Sequence, residues 1–269
     1  MTPRVTLVVA VFNQLALTRA CLDSLRRTTE PFRLVVVDNG STDDTPRFFE
    51  RFEYPYPLRF ERNPANQSVL AAYNRAWRLA ETEFVCLLHN DTEMLEPDWL
   101  GRLLAPHDQL DAGLTGLYGV KRVRRDGKYV GRTIVHSLAD APTVRPPWEE
   151  VAVVDGVCLL LRRDTLERVD GLDEGYGFHC YDKDLSLAVR ETGRRCYVVS
   201  APFHHRGGGT RARDFGERRE AERADLTARG AANARFAEKW RQRLPCDVRP
   251  LRERIADWIR ARVLGGRAG

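Results

Sequence analysis

The chain has 269 residues, 43% of them apolar and 30% charged, which is enough for one large domain or two small ones with a full core and excludes a disordered chain. Its net charge of +5 invites nucleic acid or a membrane until it is divided: residues 1–210 carry 27 basic against 29 acidic side chains, and residues 211–269 carry 16 against 9. The surplus belongs to the tail, and 39 of the 43 basic residues are arginine, a bias that a GC-rich genome makes as readily as selection for phosphate, so no nucleic-acid partner is expected.

Residues 5–11 are a β-branched run that reads as a strand bounded by Asn13. The apolar stretch at 7–12 has no cleavage site behind it, so it predicts a strand and not a signal peptide. Nowhere does the chain approach the roughly 20 apolar residues of a membrane span. Leu15, Ala20, Leu22 and Leu25 then recur at helical spacing. A strand over 34–37 ends in the turn Asp38-Asn39-Gly40-Ser41. The next helix starts at about residue 43, with Thr42 or Asp43 as N-cap and acidic residues in its first turn. A strand at 58–60, a helix over 67–80 and a strand at 84–88 follow, the last ending at His89-Asn90-Asp91.

These repeated βα units predict an α/β fold with a mostly parallel central sheet flanked by helices. Such sheets bind ligands outside the carboxyl ends of their strands. From about residue 114 the pattern changes to short strands with a Gly turn at Asp126-Gly127, and then a Pro-rich loop over 141–148. A strand at 157–161, a short helix at 164–169, a helix over 181–192 and a strand at 196–199 lead into His204-His205-Arg206-Gly207-Gly208-Gly209. Residues 215–243 and 251–264 read as a C-terminal helical extension. The six cysteines form no C-x-x-C pair, and several sit in apolar runs; they predict reduced, buried thiols of a cytoplasmic protein.

Three polar clusters lie at strand ends. In Asp38-Asn39-Gly40-Ser41-Thr42-Asp43-Asp44 the residues make a tight turn and helix cap unaided; alternatively Asp38 accepts a hydrogen bond from a nucleobase N–H. His89-Asn90-Asp91 follows a buried strand, an arrangement that presents metal ligands or catalytic groups, or simply begins a loop. Asp182 and Asp184 open a helix, where the helix dipole alone accounts for carboxylates. His107 and His136 read as surface or loop residues.

In this order the clusters resemble family 2 glycosyltransferases, inverting enzymes of the GT-A fold, and rhamnosyltransferase and O-antigen-type members in particular. The resemblance runs through Val8-Val9-Ala10-Val11-Phe12-Asn13, Val37-Asp38-Asn39-Gly40-Ser41-Thr42-Asp43, Arg62-Asn63, the Asp-x-Asp position at His89-Asn90-Asp91, and the strand from Gly156 to Arg163. It continues through Gly171-Leu172-Asp173-Glu174, Tyr181-Asp182-Lys183-Asp184-Leu185 and His205-Arg206-Gly207-Gly208-Gly209-Thr210.

The resemblance implies a metal-dependent inverting transfer of one sugar from a nucleotide sugar, with UDP or dTDP favoured, to a hydroxyl of a glycan, lipid-linked or small-molecule acceptor. Asp91 and His205 would ligate Mn2+ or Mg2+, offsetting charge on the leaving diphosphate. Asp182 would be the general base. Ala10, Phe12, Asn13, Asp38, Asn39, Arg62 and Asn90 would bind the nucleotide. Gly156, Tyr176, Trp148 and Tyr181 would face the acceptor. On this reading residues 1–112 are the nucleotide-sugar half, 113–210 the acceptor and catalytic half, and 211–269 an extension.

The sequence also departs from the family pattern. His89 stands where the family has Asp or Asn, and either packs on ribose or biases the site toward a softer ion. Tyr181 replaces an acidic residue before the base, and Pro64-Ala65-Asn66-Gln67 lacks the family's glycines. His89 and Tyr181 motivate a rival reading, a catalytically silent nucleotide-sugar-binding relative. A sugar nucleotidyltransferase is disfavoured because Asn13-Gln14-Leu15 is not a Gly-rich, Lys-containing loop.

The processive members' Gln-x-x-Arg-Trp motif is absent, so single transfers are expected, and Glu238-Lys239-Trp240 resembles the ending of non-processive members, with Trp240 as a core anchor. In the last helix Leu251, Ile255, Trp258, Ile259 and Val263 form an apolar stripe among Arg252, Arg254, Arg260 and Arg262. That stripe suits packing on its own domain, a homodimer contact, or peripheral attachment to the inner face of a membrane. The segment 141–150, with Trp148, is a candidate acceptor lid.

Overall fold

The computed structural model describes residues 2–130, 147–206 and 215–265. Its first half is the expected βα alternation. β1 (Val5–Val11), β2 (Phe32–Asp38), β3 (Leu58–Arg62) and β4 (Phe84–His89) are linked by α1 (Leu15–Leu25), α2 (Thr45–Phe49) and α3 (Val69–Trp77). These four strands pair in parallel in the order β3-β2-β1-β4. β1 is apolar throughout because both of its faces are covered. Leu7 and Val9 pack with Leu22, Leu25 and Trp99 on one side, while Val8 and Ala10 pack with Leu70, Tyr73 and Trp77 on the other. Each fully buried leucine or valine contributes about 1.5–3 kcal/mol.

The second half adds β5 (Thr92–Met94), α4 (Trp99–Leu110), β6 (Leu114–Gly116), β7 (Gly119–Val120) and β8 (Arg122–Val123). Then come β9 (Trp148–Val151), β10 (Val153–Val154), β11 (Cys158–Arg162), α5 (Arg163–Arg168), a single 3-10 turn at Glu174–Tyr176 and α6 (Tyr181–Glu191). β12 (Cys196–Val199), β13 (Phe203–His205), α7 (Phe215–Lys239), β14 (Cys246–Asp247) and α8 (Leu251–Gly265) complete the described chain. The large sheet runs β3-β2-β1-β4-β11-β6-β12-β9. Strand direction reverses at its middle, where β11 pairs antiparallel with both β4 and β6. Beyond that reversal β6 and β12 are parallel again, and β9 is an antiparallel edge. This is a GT-A architecture, a Rossmann-like parallel half continued by a mixed half.

Several elements differ from the sequence reading. α2 is only five residues long, its N-cap is Asp44 without a side-chain hydrogen bond, and no acidic residue lies in its first turn. Pro46, which cannot donate, fixes its start. The Asp43 carboxylate instead accepts from the backbone N–H of Thr45 (3.0 Å) and of Leu15 (3.3 Å), joining α2 to α1. His107 is not a surface residue: it is buried in α4 with Nε2 3.1 Å from the Thr115 hydroxyl, and burial pushes it down to about 4. All six cysteines are free, and five are buried.

Trp240 donates from Nε1 to Asp184 Oδ1 at 2.7 Å, and Asp184 also accepts from the Tyr176 hydroxyl at 3.1 Å. Asp184 is therefore a buried tie between α6 and α7, not a helix cap. Leu251, Ile255, Trp258 and Ile259 of α8 stay 48–68% exposed, so the stripe lies on the surface rather than in the core. Among the described residues no helix is long and apolar enough to cross a membrane. His136, the lid residues 141–146, the glycines 207–209 with Thr210, and the side chains of Arg260, Arg262 and Val263 lie outside the described residues.

Candidate active site

The first wall of the site is made by the ends of β1, β2 and β3. After β1 the chain passes through two successive left-handed residues, Asn13 (φ 53°) and Gln14 (φ 55°), a conformation that side chains other than glycine adopt sparingly. Asn13 is held there by bonds in both directions. Its N–H donates to Ser41 Oγ (2.8 Å), and its Oδ1 accepts from the Thr42 N–H (2.8 Å). Asp38, fully buried at the end of β2, accepts the Ser41 N–H at Oδ1 (2.9 Å). Its Oδ2 is buried with no hydrogen bond, because Arg62 Nε, 3.3 Å away, is not aligned to give one. Arg62 donates from Nη2 to the Ser41 carbonyl.

Asn39 is saturated. It donates to Asn66 Oδ1 and the Gln67 carbonyl, and accepts from Asn63 Nδ2 and the Gln67 N–H. Its neighbour Gly40 has φ +82°, and an added Cβ would lie 2.5 Å from the Ala65 carbonyl carbon. Only glycine lets the two loops touch there. The Asp-Asn-Gly-Ser turn is thus a brace that fixes the loop after β3.

The second wall begins where β4 ends. The chain turns through Asn90 and Asp91 into β5, and β13 returns antiparallel to β5 with His205 opposite Thr92. The Arg206 N–H donates to the Asp91 carbonyl (3.1 Å). This pairing sets His205 Nε2 3.2 Å from Asp91 Oδ1. His89 Nδ1 lies 4.0 Å from the same oxygen. Among the described residues, His89, Asp91 and His205 form a group whose potential ligand atoms all lie within 4.8 Å of one another. Burial raises the Asp91 carboxyl, but the hydrogen bond and charge of His205 outweigh it and leave Asp91 below the usual carboxylate range. Burial pushes His89 down to about 4, against the pull of Asp91. An ionised carboxylate and imidazole nitrogens at this spacing suit a divalent cation, and a transition ion most.

Between the walls lies a cleft of about 730 Å³, the size of a small-molecule site. Of the expected donor residues, Ala10, Phe12, Asn39 and Asn90 line it together with Asp91 and His205. Asn90 is oriented by donating to Thr18 Oγ1 (3.0 Å). Asn13, Asp38 and Arg62 stand behind that lining. Gln14, Tyr73, Phe178 and Asp225 also line the cleft and were not singled out in the sequence. Phe178 is 53% exposed, and an exposed aromatic in a Gly-rich loop was the available signal.

Asp182 is the second residue of α6, half-buried, with Oδ1 accepting the Lys183 N–H (2.8 Å). Burial, reinforced by the charge of Asp155, pushes it up to about 7. Burial also raises Asp155, whose Oδ1 accepts the Val157 N–H (3.2 Å). Asp155 was missed, although a lone acid inside the apolar run 151–161 was the clue. Of the expected acceptor residues, Tyr181 is buried, with its hydroxyl 3.2 Å from the Gly156 carbonyl and 3.0 Å from His89 Nε2. Tyr176 is buried against Asp184, and Trp148 lies on edge strand β9, packed on the core; neither these four residues nor Asp182 lines the cleft.

Known proteins are similar to this chain in sequence and fold. The O-antigen biosynthesis protein RfbC of Myxococcus xanthus is 28% identical over 233 residues, 78% of this chain but only 18% of that protein. The mannosyltransferase PcManGT from Pyrobaculum calidifontis, solved with GDP-Man and Mn2+, superposes with a TM-score of 0.60 at 20% identity, over 87% of this chain and 70% of that one. S. aureus TarS 1–349, solved with UDP-GlcNAc, gives 0.58 at 18% identity, over 84% and 66%. At these identities the solved structures speak for the fold. The family model described as "Glycosyl transferase family 2" matches residues 6–170, and the chain belongs to that family.

Proposed function

We propose that the protein transfers one sugar at a time from a nucleotide sugar to an acceptor hydroxyl, with inversion, in the synthesis of a polysaccharide, glycolipid or related glycoconjugate. The observation that carries this reading is the Asp91–His205 pair in a nucleotide-sized cleft at the ends of parallel strands. Asp91 and His205 would hold Mn2+ or Mg2+. A bound cation supplies charge neutralisation for the leaving diphosphate. Residues 1–112 take the donor, 113–210 take the acceptor and carry the base, and 211–269 are an extension.

The chain's own groups divide the remaining work. Asp182, raised toward neutrality, takes the proton of the acceptor hydroxyl as that hydroxyl attacks the anomeric carbon from the face opposite the diphosphate, a role worth roughly 10²- to 10⁴-fold. Tyr181 and Gly156 border the base, on the acceptor side. Ala10, Phe12, Asn39 and Asn90 contact the nucleotide, and Asn13 and Arg62 hold the turns behind it. Asp38 Oδ2, ion-paired with Arg62 but without a hydrogen bond, favours UDP or dTDP, since an imide N–H that reached it would supply the donor it lacks. The buried thiols support a cytoplasmic location, and the exposed face of α8 supports peripheral docking on a membrane or a second copy.

Thermal shift against UDP-, dTDP- and GDP-sugars, each with and without Mn2+ and Mg2+, tests the reading. A cognate donor at 100 times its Kd should stabilise by roughly 2.7 kcal/mol, and only with a cation present. A panel in which no nucleotide sugar shifts the transition overturns it. Binding without turnover, to any acceptor or to water, favours the silent relative.

A further inference from the structure

We infer that His89 is a third ligand of the cation site, offered through Nδ1 and locked in that tautomer by the Tyr181 hydroxyl, so that the site takes a first-row transition ion in preference to Mg2+. This rests on the reading that Asp91 and His205 hold a cation.

Tyr181 Oη lies 3.2 Å from the Gly156 carbonyl oxygen and 3.0 Å from His89 Nε2. A carbonyl oxygen can only accept, so the single hydroxyl proton goes to Gly156. The hydroxyl oxygen then accepts from His89, which places the ring hydrogen on Nε2 and leaves a lone pair on Nδ1. Nδ1 is the nitrogen that faces Asp91 Oδ1, at 4.0 Å. His205 Nε2 reaches the same oxygen from β13 at 3.2 Å.

The hydroxyl's position is built into the fold. A Cβ added at Gly156 would fall 2.2 Å from Tyr181 Oη, so only glycine admits the tyrosine there. The backbone beneath the ring is equally fixed, since the His89 N–H donates to the Val157 carbonyl at 3.0 Å. A ring whose far nitrogen is held by a polar partner is the arrangement metal-bound histidines adopt, and that partner sets ring orientation and ligand basicity. Two imidazoles and one carboxylate suit Mn2+ or Co2+, whereas Mg2+ keeps oxygen ligands and water. His89 and Tyr181, two of the places at which the sequence leaves its family's pattern, are thus one device: a ligand and the group that orients it.

Co2+ titrated into the full chain, with and without inorganic pyrophosphate, tests this. Visible absorption reads binding, proton NMR reads the ligands, and Mg2+ competition reads preference. The expected spectrum has two hyperfine-shifted imidazole N–H resonances, one slow to exchange because it lies behind Tyr181. His89→Asn should remove that resonance and cut the preference for Co2+ over Mg2+ by about tenfold or more. Tyr181→Phe keeps the ligand and loses its lock; Co2+ affinity should fall by roughly 10–100-fold, with the N–H now exchanging quickly. A single imidazole resonance that survives His89→Asn, or Co2+ affinity unchanged in Tyr181→Phe, overturns the role of His89 and leaves the Asp91–His205 reading standing. A wild-type chain with no Co2+ spectrum, with or without pyrophosphate, overturns both.

Discussion

His205 Nε2 sits 3.2 Å from Asp91 Oδ1, and the contact is made by strand pairing between β13 and β5 rather than by a flexible loop. On the proposed reading the two groups would hold a cation across one small ladder, Asp91 from the residue before β5 and His205 from the end of β13. His205→Ala should weaken Mn2+-linked binding of a nucleoside diphosphate by at least the roughly 10–100-fold that loss of an outer-shell partner costs. His204→Ala, altering the exposed neighbour, should leave it unchanged. Calorimetry with and without Mn2+ measures both, and equal affinity in wild type and His205→Ala would count against the ligand assignment.

Asp182→Asn should retain nucleotide and cation binding and lose transfer by roughly 10²- to 10⁴-fold. Normal turnover in this variant would sink the base assignment.

The pH dependence has a definite sign. A base works ionised, so transfer by the wild-type enzyme should rise with pH through about 7, where burial and then Asp155 have moved Asp182. Asp155→Asn removes the negative neighbour and should carry the rising limb to lower pH. The same raised value means that the folded state binds this proton more tightly than the unfolded chain. Asp182 therefore favours folding at low pH, and this contribution is lost as pH rises from 3.8 through about 7. Melting curves of Asp182→Asn, which has no such proton, should gain on wild type across that interval; a constant gap between the two would refute the shift.

How much of this was legible in the sequence depended on the range of the contact. β1, β2 and β4 follow from apolar runs and the turns that end them, because a parallel strand covered on both faces leaves little choice of residue, whereas β3 is a half-exposed edge strand. Asp38, Asn90 and Asp91 could be picked out because they end such strands. The His89–Tyr181 contact could not, since periodicity does not say which strand β11 pairs with, and that register brings Gly156, and with it the Tyr181 hydroxyl, beside His89. His107 was misread for the same reason: its environment is set by β6, which lies across α4. The stripe on α8 was legible as a stripe, but a hydrophobic period cannot tell whether a partner exists.

Asp184→Ala should be a stability variant and not a catalytic one. It leaves the Tyr176 hydroxyl and the Trp240 indole N–H without their acceptor, at about 1–3 kcal/mol for each buried donor. Urea unfolding should show that loss, while nucleotide affinity of the folded fraction stays at the wild-type level.

Gly40→Ala tests the brace. A side chain at φ +82° costs about 1–2 kcal/mol in the backbone alone, and the contact with Ala65 must open as well. The variant should unfold at lower urea and bind nucleotide more weakly, in contrast to Asp184→Ala. Unchanged nucleotide affinity would show that the turn positions nothing.

The antiparallel seam between β4 and β11, with Leu88 opposite Cys158, has a consequence for how such an enzyme can diversify. One strand carries His89 at its tip while hydrogen-bonded to the strand that follows Gly156, so on the proposed reading the donor and acceptor sides are registered on a common ruler. Sliding that ruler by one residue would turn every side chain to the opposite face. On that reading the distance between donor and acceptor is closed to gradual adjustment. New acceptors have to be accommodated by segments that overhang the sheet, and a lineage of such enzymes can change what it glycosylates while the span of the reaction stays fixed.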